Sequence, residues 1–182
     1  MTPMDRLRIQ VSGETGYTTN YCAALRGAGG EPVAGYCPTP DLSCAGLLLC
    51  GGGDIESTLY GQEDRGSQPP DRERDRAELA LFRAFYGAGR TILGICRGMQ
   101  YLNALWGGKI SKLAALPVPR PIREDHPVEI FGERWLVNQY HNDGIFLEDL
   151  APVFVPLAID RENGVVEGFA SKEEGILAIQ WH

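Results

Sequence analysis

The chain has 182 residues, with 24 acidic against 17 basic side chains and a net charge of −7, which argues against a nucleic-acid surface because phosphate binding wants a basic patch. Its five cysteines are an odd number, with no CxxC pair and no histidine cluster nearby, so they read as reduced thiols of a cytoplasmic protein and not as a disulfide framework or a zinc site. Met1 to Gln10 carries charges and no apolar core, unlike a signal peptide, and the longest apolar run, Ala45 to Cys50, is far too short to span a bilayer.

In chain order, Leu7 to Val11 alternates and predicts a first strand, ended by Ser12-Gly13. Thr18 to Ala28 predicts a helix with Tyr21, Ala24 and Leu25 inward, stopped by Gly29-Gly30. Glu31 to Tyr36 is a second short strand. Gly46 to Cys50 is continuously apolar, as expected of a strand buried on both faces of a parallel sheet, and runs into Gly51-Gly52-Gly53-Asp54. Ser57 to Pro70 is polar and reads as a surface loop. Asp71 to Tyr86 is the clearest helix, with Leu79, Phe82 and Phe85 inward and the charge run Arg72 to Arg76 read as a solvated face. Thr91 to Ile95 is a short β-branched strand, followed by a helix over Arg97 to Trp106 that Gly107-Gly108 ends.

Strands alternating with helices imply an α/β fold: a mainly parallel sheet flanked by helices. Past Trp106 the texture changes. Leu113 to Pro127 is proline-rich and reads as a loop. Val128–Phe131, Arg134–Asn138, Val153–Ile159, Val165–Ala170 and Ile176–Trp181 are short strand candidates, with Asn163-Gly164 as a hairpin turn and one helical turn near Gly144 to Leu150. One domain over residues 1–182, with a β-rich second half, accommodates all of this.

The chemistry centres on Cys96. It stands at a sharp strand-to-helix turn with Gly94 and Gly98 two residues to either side, a nucleophile elbow with cysteine in place of serine. The helix that follows aims its N-terminus at the sulfur, which favours the thiolate. Cys22, Cys37, Cys44 and Cys50 read as packed thiols. A cysteine nucleophile needs a base and donors for the oxyanion that forms on attack. Of three histidines, His126 precedes a proline in the loop and looks structural or solvated, His141 follows a strand, and His182 ends the last strand. Ligands on parallel sheets bind at the carboxyl ends of strands, where Gly51 to Gly53 and Cys96 both lie.

Gly51-Gly-Gly-Asp54, Gly94-Ile-Cys-Arg-Gly-Met-Gln100, Val137-Asn-x-x-His141, Val166-Glu-Gly-Phe169 and Ile179-Gln-Trp-His182 together resemble the class I glutamine amidotransferases. More closely they are similar to their γ-glutamyl-γ-aminobutyrate hydrolase branch, peptidase family C26. The resemblance covers nearly the whole chain and implies a flavodoxin-like α/β fold. It implies that Cys96 attacks the γ-carbonyl of a γ-glutamyl amide to form a thioester, with His182 as general base and then acid. The N–H of Arg97 and one from the glycine loop, Gly52 or Gly53 with Gly52 favoured, would form the oxyanion hole. Gln100, Gln139, Tyr140 and His141 would line the glutamyl pocket. No cofactor or metal is implied.

The chain departs from the family pattern in three places. The third triad member of the family, a Glu two residues after the histidine, lies beyond His182, so the expectation is of a chain truncated in mid-motif. Gln139 stands where the family has Ser, and Asn142-Asp143 where a second His and a Gln are common. The connection Lys109 to Ile122 is short and proline-rich. Three readings follow: a stand-alone hydrolase of glutamine or a γ-glutamyl-amine such as γ-glutamyl-γ-aminobutyrate, a glutaminase subunit delivering ammonia to a synthase partner, and a catalytically inactive γ-glutamyl-binding module. The partner expected in each is a small γ-glutamyl molecule, with no nucleic acid and no membrane. A homodimer is left open.

Overall fold

The computed structural model describes residues 6–62, 69–114 and 116–182. Along them run β1 (Arg8–Ser12), α1 (Thr19–Gly27), β2 (Glu31–Gly35), β3 (Gly46–Leu49), α2 (Arg72–Gly87), β4 (Thr91–Ile95), α3 (Arg97–Leu105), β5 (Ser111–Lys112), β6 (Asp125–Ile130), β7 (Glu133–Asn138), β8 (Asp143–Phe146), β9 (Val155–Asp160), β10 (Val165–Ser171) and β11 (Ile176–Ile179). The main sheet has the order β2-β1-β3-β4-β11-β10-β9-β6-β7. Its first five strands are parallel neighbours. From β11 onward every pairing is antiparallel, through β10, β9, β6 and β7, with β8 on β10 and β5 on β8.

The parallel half is built as its sequence dictates. All four residues of β3 are buried, since helices cover both of its faces. Leu47 and Leu49 point into a core with Leu81 and Phe85 of α2 and Met99 and Leu102 of α3. Leu48 points the other way, to Val11 and Cys50 with Tyr21 and Leu25 of α1. This period-two division between two helical layers is why a run without polar alternation still makes a strand. The order reverses between β1 and β3, the switch point where such sheets leave a crevice at their carboxyl ends. Gly13, Gly51 to Gly53, Cys96 and His182 all follow strands of this parallel half, so they share that edge.

Several expectations need correction. The charge run of α2 is solvated only in part: Arg72, Glu73 and Arg76 are exposed, but Arg74 and Asp75 are buried, as is Glu78 one turn on. Arg74, Glu78, Leu81 and Phe85 fall at i, i+4, i+7 and i+11, one helix face, so the charges continue the apolar stripe. In α1 Cys22 is buried and Ala24 exposed. His126 and Pro127 belong to β6, where His126 is buried, and not to a loop. The proline is tolerated because β9 pairs β6 only at Glu129 and Ile130. The turn near Gly144 to Leu150 is shorter than expected, a 3-10 turn at Leu147–Asp149, because Asp143–Phe146 pairs as β8. Within the expected loop Ser57 to Pro70, Ser57–Tyr60 forms a 3-10 turn, and residues 63–68 lie outside the described residues.

Candidate active site

β4 and α3 meet at Cys96 with φ 54 and ψ −106, a backbone that L-residues rarely adopt. Strain of this kind costs about 1–3 kcal/mol and persists only where the surroundings over-determine it. Here they do. A Cβ on Gly94 would lie 2.6 Å from the carbonyl carbon and oxygen of Gly98, so the first turn of α3 rests directly on β4. The Cys96 N–H donates to Ile179 O at 2.8 Å, and its carbonyl accepts from Gln100 N at 3.1 Å, which ties the elbow to β11 and to the helix it opens.

The thiol is buried. Burial pushes its pKa up to about 11, and the charge of Glu167 adds to the shift, while the main-chain N–H of Arg97 and the Gln180 side chain lower it in part. The expectation that the α3 N-terminus favours the thiolate is therefore outweighed by desolvation. A thiol pushed up this far favours its neutral form at neutral pH.

His182 lies at the same edge. A Cβ built on Gly51 would lie 2.7 Å from His182 Cε1 and 3.5 Å from Cys96 Cβ, so both side chains close on one point above the glycine loop. The residue keeps exposed surface, but its ring is set between Tyr21 and Tyr140, at centroid distances of 6.0 and 6.2 Å. Tyr21 Oη is 2.9 Å from His182 Nδ1 and accepts the Gly51 N–H at 3.1 Å. Burial raises the Tyr21 phenol to about 12, so it stays neutral. With Nδ1 taken by Tyr21, Nε2 is the nitrogen left for proton transfer. Burial, with His141 nearby, lowers the His182 pKa, so the imidazole is an uncharged acceptor at neutral pH.

Asn138, at the end of β7, holds the main chain of His182 from both sides: Oδ1 accepts its N–H at 2.9 Å and Nδ2 donates to its carbonyl at 2.6 Å. Asn138→Ala is expected to lower kcat by about tenfold to a hundredfold, as misplacement of a catalytic group by about 1 Å does. Stability should fall by only about 1–2 kcal/mol for two partly exposed hydrogen bonds. Steady-state kinetics beside a urea melt separates the two effects.

The remaining expected site residues are placed as follows. Gly52 and Gly53 are exposed on the loop after β3. The Arg97 side chain turns away from the thiol into the protein, where it pairs with Asp75 and Glu78. Gln100 is buried, and its Nε2 donates to Asp143 O at 3.0 Å and Gln180 Oε1 at 3.2 Å. Gln139 is buried and donates to His141 O at 2.9 Å. Tyr140 is exposed beside His182. His141 has Nδ1 2.8 Å from Asp143 O and Nε2 3.8 Å from Glu167 Oε1, and Glu167 also lies 3.5 Å from Nε2 of His126. The side-chain amides of Gln100 and Gln139 are thus engaged with the protein.

Tyr21, Asn138 and Gln180 were not among the residues expected at the site. Gln180 and Asn138 lie inside quoted motifs, but nothing in their spacing says which way they face. Tyr21 carries no local signal, since its partner is 161 positions away.

Among known proteins, the family model described as Peptidase C26 matches residues 6–125. The glutamine amidotransferase-like protein YvdE of Lactococcus lactis subsp. lactis is 32% identical over 154 residues, covering 75% of this chain and 64% of that protein. Protein NtpR of Enterococcus hirae is 30% identical over 164 residues, covering 75% and 65%. The chain thus spans somewhat less than two thirds of the length of either relative. Among solved structures, a glutamine amidotransferase from Thermotoga maritima superposes with a TM-score of 0.71 at 17% identity, covering 97% of this chain and 76% of that one. One from Methylobacillus flagellatus gives 0.66 at 14%, covering 97% and 69%. These two likenesses establish the class I glutamine amidotransferase fold.

Proposed function

The chain belongs to the peptidase C26 family of glutamine amidotransferase-like proteins, and from that premise we propose that it hydrolyses γ-glutamyl amides, glutamine or a γ-glutamyl-amine such as γ-glutamyl-γ-aminobutyrate, through a thioester on Cys96. The observation that carries this reading is the strained elbow at Cys96 with His182 closing on the same point above Gly51.

Cys96 Sγ attacks the γ-carbonyl carbon as its proton passes to His182 Nε2. The carbonyl oxygen becomes an oxyanion, held by the N–H groups of Arg97 and Gly52. The tetrahedral species collapses, the C–N bond breaks, and His182 returns the proton to the departing amine. Water, deprotonated by His182, then attacks the thioester and releases glutamate and the thiol. Tyr21 supports each transfer by accepting the Nδ1–H, which keeps the ring in the tautomer that leaves Nε2 free.

The test is mass spectrometry after treatment with a diazo-ketone glutamine analogue. A single adduct on Cys96, with Cys22, Cys37, Cys44 and Cys50 untouched, is expected. A folded protein that takes no adduct would overturn the hydrolase reading in favour of an inactive γ-glutamyl-binding module.

A pH dependence follows. Protonation of His182 removes the base as pH falls, and its pKa is lowered, so the acid limb of kcat/KM should lie below the ordinary histidine value of about 6.5. The thiol is pushed up to about 11, so the rate should stay level at pH 8–9 and not climb as it would for a free thiolate. A pH–rate profile on glutamine with an acid limb at or above pH 7 would contradict the assignment of the base.

A further inference from the structure

Beneath the glycine loop lies a buried guanidinium that the reaction above does not use. The Arg74 side chain, from the first turn of α2, has no exposed surface. Its Nη2 donates to two successive carbonyls, Cys50 O at 2.9 Å and Gly51 O at 3.1 Å. Its Nε donates to Glu78 Oε1 at 2.8 Å. Nη1 forms an ion pair with Glu14 Oε1 at 3.5 Å and lies under Gly52, where a Cβ would collide with it and approach Glu14 Oε1 to 3.1 Å and Cζ to 3.2 Å.

A trans peptide points its C=O and N–H in opposite directions. Both carbonyls turn toward one nitrogen of Arg74, so the N–H groups of Gly51 and Gly52 turn together to the other side. The first of them is accounted for there: Gly51 N–H donates to Tyr21 Oη, which touches His182. The second, Gly52 N–H, is left facing the same side. With the Gly51 N–H engaged by Tyr21, the Gly52 N–H is the loop donor left to meet an anion on that side. The same ion network reaches the other oxyanion donor, because Glu78 also pairs with Arg97, whose own N–H faces the sulfur. Ser12 Oγ donates to Glu78 Oε1 at 3.0 Å and fixes the carboxylate between the two arginines.

We propose that Arg74 is a positioning residue for the oxyanion hole: its guanidinium turns the Gly51–Gly52 peptide so that the Gly52 N–H meets the developing oxyanion, and Glu78 locks that half of the hole to the Arg97 half. This rests on the hydrolase reading. It also explains why a helix spends two charged residues of its buried face on a loop.

The test compares wild type, Arg74→Lys and, as a control on the exposed side of the same helix, Arg76→Lys. Lysine keeps the charge but cannot bridge two carbonyls while holding Glu78. Sites are counted with the diazo-ketone analogue, so that kcat is read per folded site. Arg74→Lys is expected to lower kcat by on the order of 10², the effect of losing one oxyanion donor, with KM within about threefold. A γ-aldehyde analogue of glutamate, which adds the Cys96 sulfur at its carbonyl carbon and places an oxygen in the hole, should lose affinity by the same factor. Inhibition by the product glutamate should not move. Arg76→Lys should match wild type.

A kcat per site within about threefold of wild type, or equal losses for the aldehyde and for glutamate, would overturn the proposal. If Arg74→Lys does not fold, Arg74→Gln, which retains one amide donor, is read by the same criteria. A wild-type protein that neither turns over nor is labelled removes the hydrolase reading itself, and this inference with it. That outcome differs from a labelled, active wild type with an indifferent Arg74→Lys.

Discussion

Cys96→Ala is expected to lower hydrolysis of γ-glutamyl amides by about 10⁴-fold or more while leaving the fold intact. Removal of a covalent nucleophile costs this much because base and oxyanion donors then have no intermediate to act on. The side chain lost is small, so the variant should melt close to wild type, and the positive φ at position 96 remains as strained for alanine as for cysteine. None of the other thiols can substitute. Cys50 is buried at the end of β3, and burial pushes it up to about 12. Cys44 is buried, Cys22 is a buried residue of α1, and Cys37, which is partly exposed, follows the edge strand β2 and is also pushed up by burial. Cys96→Ser is a sharper version of the same experiment, since it keeps the shape. Serine should also be nearly inactive, because the neutral pocket that holds a thiol until His182 takes its proton offers a far less acidic hydroxyl no additional help. Activity in Cys96→Ala above about a hundredth of wild type, measured on the same γ-glutamyl amide, would remove Cys96 from the mechanism.

The second large effect is on the fold. Gly98→Ala places a methyl group against the backbone of β3: it would collide with Leu49 O and approach Leu49 C to 2.8 Å and Cβ to 2.9 Å. Leu49 cannot move aside. It is fully buried, and β3 is paired on both sides, to β1 and β4. α3 cannot retreat either, since every residue from Arg97 to Ala104 is buried. Overpacking of this kind costs about 1–3 kcal/mol and can exceed that where neither neighbour yields. A loss of about 3 kcal/mol corresponds to a fall in Tm of roughly 6–12 °C for a domain of this size. Activity should fall further than stability, because any outward shift of α3 carries the elbow and the Arg97 N–H with it. Gly53→Ala is the matched control: its Cβ would meet nothing within 4 Å, and its Tm should equal wild type. Thermal melts of the two variants side by side decide the matter, and a Gly98→Ala protein within 1 °C of wild type would show that α3 does not approach β3 this closely.

Much of the parallel half was legible in the sequence. Thr91 to Ile95 and the turn at Cys96 follow from local rules: a β-branched run, glycines at either side, and helical spacing beyond. The apolar run Gly46 to Leu49 announces a strand covered on both faces, and Gly51 to Gly53 announces backbone that approaches something closely. These signals survive because periodicity and backbone freedom are properties of neighbouring residues. The antiparallel half was less legible. β5 and β8 are short, and β6 contains a proline, so each depends on its partner strand for existence, not on its own propensity.

The sequence alone thus determined the α/β alternation, the sharp strand-to-helix turn at Cys96 and the last strand, which the structure ends at Ile179, three residues short of His182. Only the tertiary structure decided how those parts are held. It showed that Arg74, Asp75 and Glu78 of α2 are buried and grip the glycine loop and Arg97, that Tyr21 meets His182 Nδ1, that Asn138 clamps the histidine main chain, and that burial pushes the Cys96 thiol up. The physical reason is common to all four. A charge or a hydroxyl looks the same in sequence whether water or a partner dozens of residues away satisfies it, and burial, which raises the cost of an unpaired charge and shifts the thiol, exists only once the sheet has brought the two ends of the chain to one edge.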